Sequence, residues 1–64
     1  MVKINGKQED VAGKTIAEYL DAANYRAERI VVERNLEIVP KTDYAAAVLQ
    51  DGDEVEIVSF MGGG

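Results

Sequence analysis

Gly62-Gly63-Gly64 is the stretch of this 64-residue sequence whose residue types invite chemistry. Glycines bury no side chain, and each loses more backbone entropy on ordering than any other residue, so the run cannot help a core. It reads as a mobile tail over residues 62–64 that follows a folded domain over residues 1–61. A slim, unbranched carboxylate at Gly64 is then the group held out for another protein's active site. Without Cβ atoms such a tail can thread a narrow channel and adopt positive φ. Fully extended at ~3.3–3.6 Å per residue, it reaches roughly 10 Å beyond the domain.

No other set of residues competes with it. The chain has neither cysteine nor histidine. That excludes disulfides, thiolate zinc sites and nucleophilic thiols, and it removes the commonest general base and metal ligand. A protein worked on by enzymes, rather than an enzyme, is expected. Twelve acidic against seven basic side chains leave a net charge of −5. This argues against a nucleic-acid phosphate backbone as partner and favours a basic protein. No apolar run approaches ~18 residues and no charged-then-apolar leader opens the sequence, so a soluble cytoplasmic protein without a membrane span is expected. Asp51, Asp53, Glu54 and Glu56 lack the ligand spacing of a calcium loop and read as a solvated turn and strand face.

The elements that must carry the tail follow from turn chemistry and periodicity. Val2 and Ile4 alternate with polar positions, and Asn5-Gly6 supplies the positive-φ pair of a two-residue hairpin turn, with a return strand from Lys7 to Val11. Thr15 and Glu18 have capping-box spacing. Ile16, Tyr19, Leu20 and Ala23 then lie along one helical face that ends near Asn24. Ile30-Val31-Val32 predicts a strand, Asn35 a turn, and Glu37-Ile38-Val39 a short strand stopped by Pro40. A brief helix is expected over residues 44–49, with Tyr44, Val48 and Leu49 inward. Asp51-Gly52-Asp53 turns into a last strand on which Val55, Ile57 and Ser59 share one face and Glu54, Glu56, Val58 and Phe60 the other. The order predicts an α+β domain of the β-grasp (ubiquitin-like) type: a mixed sheet of four to five strands, one main helix on one face, and the last strand parallel to the first. Val58 and Phe60 on the open face, with Met61, are the expected partner contacts.

These residues resemble the ThiS family, the sulfur carriers of thiamine biosynthesis, over essentially the whole length. The resemblance is carried by the Asn5-Gly6 hairpin, Val32-Glu33-Arg34-Asn35, Ile38-Val39-Pro40, the run from Asp51 to Val58, and the glycine ending. Lys41 follows the proline where relatives often have arginine. The small subunit of molybdopterin synthase, which shares the fold and a diglycine end, is the alternative carrier; a β-grasp interaction module is the alternative of another class. The ThiS resemblance implies that an E1-like adenylating enzyme (ThiF-like), using ATP and magnesium of its own, activates Gly64. A sulfur donor such as a cysteine desulfurase then converts the adenylate to a thiocarboxylate, and thiazole synthase (ThiG-like) accepts the sulfur. The carrier itself binds no cofactor: its glycines open no helix and lack a phosphate-loop lysine.

Overall fold

The computed structural model describes residues 1–60; Met61, Gly62, Gly63 and Gly64, and with them every expectation placed on the tail, lie outside the described residues. Strand β1 (Val2–Ile4) turns at Asn5 and Gly6, both at positive φ, into β2 (Lys7–Glu9). The return strand stops at Glu9, short of the expected Val11. The chain then crosses to helix α1 (Ile16–Ala22), and strands β3 (Ile30–Arg34), β4 (Glu37–Ile38) and β5 (Glu54–Ser59) follow. The sheet order is β2-β1-β5-β3-β4, with β1 and β5 parallel and the other pairs antiparallel. This is the β-grasp arrangement, with all five strands present.

Helix α1 begins where its free backbone N–H groups find partners. Glu18 N–H donates to Thr15 Oγ1 at 3.1 Å, and Thr15 N–H donates to Glu18 Oε1 at 2.8 Å, the reciprocal capping box. The two N–H groups ahead of Glu18 reach across to another segment: Ile16 donates to the Ala47 carbonyl and Ala17 to that of Tyr44, each at 2.9 Å. The whole first turn is thereby satisfied. The helix stops with Asn24 at φ 65°. Tyr25 N–H then donates to the Leu20 carbonyl and Asn24 N–H to that of Asp21, the paired bonds of a Schellman ending.

Ile16 and Leu20 from the helix meet Val2, Ile4, Ile30, Val32, Val55 and Ile57 from the sheet, with Tyr44 and Leu49 closing one side. Each fully buried aliphatic side chain contributes about 1.5–3 kcal/mol by leaving water. Tyr19 is only half-buried, and Ala23, the C-cap residue of the helix, is exposed.

The brief helix expected over residues 44–49 is not formed. Lys41–Asp43 makes a single 3-10 turn, followed by hydrogen-bonded turns and an isolated bridge between Val48 and Thr15. The carbonyls of Tyr44 and Ala47 serve α1, which removes them from any local ladder. Tyr44 and Leu49 point inward as expected; Val48 does not and is 41 % exposed.

Asp53 also departs from its expected solvated setting, being 8 % exposed. Its Oδ2 accepts from Arg34 Nε at 2.9 Å, Arg34 Nη2 at 2.8 Å and Gln50 N–H at 3.0 Å, while Oδ1 accepts from Asn35 Nδ2 at 3.2 Å. Arg34 Nη2 bonds the Val48 carbonyl as well, and Asn35 Oδ1 takes the Glu54 N–H. The Arg34-Asn35 and Asp53-Glu54 pairs thus form a polar clasp that fixes the start of β5 beside the end of β3. On the other side of β5, Asn5 continues the parallel strand β1 with its side chain: Ile57 N–H donates to Asn5 Oδ1 at 2.8 Å and Asn5 Nδ2 donates to the Ile57 carbonyl at 3.3 Å.

Candidate functional site

Strand β5 alternates as its sequence demands. Val55 and Ile57 are buried under α1, and Glu54, Glu56 and Val58 face the opposite, uncovered side of the sheet. Directly paired residues share a face, so the register completes that surface. Lys3 stands beside Glu54, Glu33 opposite Glu56, Val31 opposite Val58, and Ile38 opposite Glu33. Successive rows along β5 lie roughly 7 Å apart. The face therefore grades from carboxylates at Glu54 and Glu56 to an apolar patch at Val58 and Phe60, at the end where the chain leaves the sheet.

The apolar end is open, with Val58 54 % and Phe60 48 % exposed. Phe60 is nevertheless held in place, since its N–H donates to the Arg29 carbonyl at 3.1 Å and extends the β3–β5 ladder past Ser59. Val31, opposite Val58, joins this patch, and Ile38 stands in the next row beside Glu33; neither was anticipated from the sequence. Their signal was present: Val31 sits between the buried Ile30 and Val32, so strand alternation turns it outward. Met61, the third expected contact, lies outside the described residues.

At the acidic end, Glu33 faces Glu56 across two antiparallel strands, an unfavourable like-charge juxtaposition. Among the described residues the ion pairs are the Met1 amino group with Asp51 and Arg34 with Asp53, so neither glutamate is neutralised by one. An open groove of about 530 Å³ passes over Lys3, Glu33, Glu54 and Glu56. Its charge suits a basic protein surface rather than a nucleotide. Among the described residues no group of three or more His, Cys, Asp or Glu side chains is placed to hold a metal ion, and no helix is long and apolar enough to cross a membrane.

Phe60→Asp is expected to weaken binding to a protein that docks on this face, by about tenfold or more, as a large apolar anchor is replaced by a charge. Because Phe60 is half exposed and outside the core, the circular dichroism spectrum and melting temperature should barely change. Titration of both proteins by calorimetry reads the first effect and thermal melting the second.

A β-grasp sheet with one face given to the helix and the other graded from acid to apolar defines a small presentation domain, built around its last strand. Comparison with known proteins narrows that class. Residues 2–64 match the model of the ThiS family. The sulfur carrier protein ThiS of Bacillus subtilis is 41% identical over 68 residues, with both chains covered completely. A thiamine biosynthesis protein (ThiS) of Geobacter metallireducens superposes in its crystal structure with a TM-score of 0.78 at 36% identity, covering 98% of this chain and 97% of that one. The thiazole synthase of Paramagnetospirillum magneticum is 45% identical over 62 residues; there the match takes in 95% of this chain but only 19% of the relative, so this chain spans about a fifth of that protein. The chain belongs to the ThiS family.

Proposed function

We propose that this protein is the sulfur carrier for the thiazole moiety of thiamine and that Gly64 carries the sulfur as a thiocarboxylate. The observation that carries the reading is the family match, which runs through Gly64. Full-length likeness to a sulfur carrier supports it as well.

The chemistry follows from the weakness of a carboxylate as an electrophile. With a pKa of about 3.3–3.7, a terminal carboxyl is ionised at neutral pH and resists nucleophiles. Attack of one Gly64 oxygen on the α-phosphorus of ATP expels pyrophosphate and forms an acyl adenylate. Inorganic sulfide can then form the C–S bond directly as AMP leaves with the electrons of the C–O bond. With a persulfide donor the terminal sulfur attacks in the same way, and a thiol reductant cleaves the resulting acyl disulfide, freeing the thiocarboxylate while the donor thiol and the reductant end as a disulfide. The thiocarboxylate stays anionic and now offers a nucleophilic sulfur. An E1-like adenylating enzyme supplies the ATP site and magnesium, a cysteine desulfurase or comparable donor the sulfur, and thiazole synthase accepts it; all act in the cytoplasm. The carrier contributes no catalytic group and binds no cofactor. Identity to thiazole synthases that include such a domain supports the acceptor. On this reading the open sheet face, through Val58, Phe60 and Met61, docks the enzymes while Gly62 and Gly63 thread the reacting end into their clefts.

Intact-mass spectrometry after incubation with ATP, the cognate adenylating enzyme and a sulfide source tests this. Exchange of one oxygen for sulfur adds about 16 mass units to the chain. A chain that keeps its mass, under conditions that modify a Bacillus subtilis carrier, overturns the reading.

A further inference from the structure

At the end of the sheet where Phe60 leaves β5, on the side away from the carboxylates, a second groove of about 310 Å³ is lined by Asn24, Tyr25, Arg26, Arg29, Ser59 and Phe60 together with Ile30. We infer that Arg26 and Arg29 form a cationic docking site for an acidic segment of the adenylating enzyme, at the opposite end of β5 from the carboxylates of the open face. The inference rests on the carrier reading above.

Two of the seven basic residues in a chain of net charge −5 stand within one short segment here. Both are exposed, and neither is in an ion pair among the described residues. Glu28, also exposed, is the one acid between them and does not line the groove. Exposed, uncompensated charge on an otherwise acidic protein is a surface whose natural complement is anionic.

Their backbones are fixed relative to Phe60, the last described residue. Tyr25 is tied to Leu20 by the helix ending, Arg29 N–H donates to the Arg26 carbonyl at 2.9 Å, and the Arg29 carbonyl receives Phe60 N–H. The guanidinium groups therefore spring from a turn bonded directly to the residue where the tail begins. Arginine's planar fork pairs with carboxylates through two parallel bonds, which suits recognition of Asp or Glu side chains.

The anion that such a fork meets on a partner protein's surface is a carboxylate, so the complement is an Asp or Glu side chain of the enzyme. With Glu33, Glu54 and Glu56 on the open face and the arginines beside the exit, a partner that reads both charges accepts the carrier in one orientation only.

The test is charge reversal in the full chain, Arg26→Glu with Arg29→Glu, beside a control pair, Arg26→Lys with Arg29→Lys. Affinity for the adenylating enzyme is measured at low and high ionic strength, and thiocarboxylate formation is followed by intact mass at saturating enzyme. Since both side chains are exposed and make no hydrogen bond among the described residues, all variants should melt with the wild type. The reversed variant is expected to bind about tenfold more weakly or worse at low salt. The gap should narrow at high salt, the saturated rate should be unchanged, and the lysine pair should retain most of the affinity. Equal or tighter binding by the reversed variant overturns the docking site while leaving the carrier reading intact. A wild-type chain that gains no sulfur overturns that reading and this inference with it.

Discussion

Gly64→Val is expected to fold and melt like the wild type and yet to lose ATP–pyrophosphate exchange by about a hundredfold or more. The folded body over residues 1–60 draws its core from residues between Val2 and Ile57, so a change at residue 64 replaces none of them. Adenylation, by contrast, requires a carboxylate oxygen in line with the α-phosphorus, and displacing a reacting atom by ~1 Å can lower a rate about a hundredfold. A branched side chain on the last residue adds bulk to a channel fitted to bare backbone and closes the positive-φ conformations open to glycine. Exchange within a few-fold of wild type would show that the enzyme reads only the carboxylate. Gly64→Ala, with one methyl group, should fall between the two, which separates bulk from backbone conformation.

Asp53→Asn is expected to act in the opposite sense, lowering stability while leaving the reactive end untouched. Four donors converge on the Asp53 carboxylate from Arg34, Asn35 and Gln50. An amide in its place has one oxygen, so whichever way it turns, an NH2 group faces a donor. Loss of charge-assisted bonds at a buried site costs about 2–3 kcal/mol, which in a domain of this size is a fall of about 10–20 °C in melting temperature. A fall of less than about 3 °C would mean that the clasp is incidental to the fold.

The same carboxylate sets an acid limit. Burial disfavours its charge, but the bonds from Gln50, Asn35 and Arg34 and the nearby guanidinium outweigh that and hold its pKa below the usual range. A carboxyl whose folded pKa is depressed binds its proton more readily when unfolded, so its stabilisation is fully present above the unfolded value of about 3.9. It declines as pH falls below that value and is gone beneath the folded pKa. Melting of the wild type should therefore drop through this window more steeply than melting of Asp53→Asn, the two curves converging in acid.

Where the chain's geometry is local, its sequence reads directly. Asn5-Gly6 and Asn24 take the positive φ expected of them, Thr15 and Glu18 cap α1, and the alternation of β5 sorts Val55 and Ile57 from Val58 and Phe60. Each of those features is decided by residues a few positions apart. The segment from Tyr44 to Leu49 is decided elsewhere. Its apolar spacing and three alanines suit a helix, but six residues cannot repay helix nucleation, and the start of α1 draws on its carbonyls. Asp53 is the same lesson in charge: in the sequence it is one of a row of acids, and only the return of β3 to its side reveals Arg34. On the open face, Val58 and Phe60 were legible from strand parity, whereas the grouping of Val31, Ile38 and Glu33 around them needed the register.

Strand β5 lies between β1 and β3, and no pairing joins those two directly. The amino-terminal hairpin and the β3–β4 hairpin therefore share no sheet until residues 54–59 are in place, and before that only side-chain packing, that of Ile16 and Leu20 of α1 foremost, can link them. A chain cut ahead of β5 is left with two ribbons that no continuous sheet joins, their edges open to proteases and to pairing with other chains.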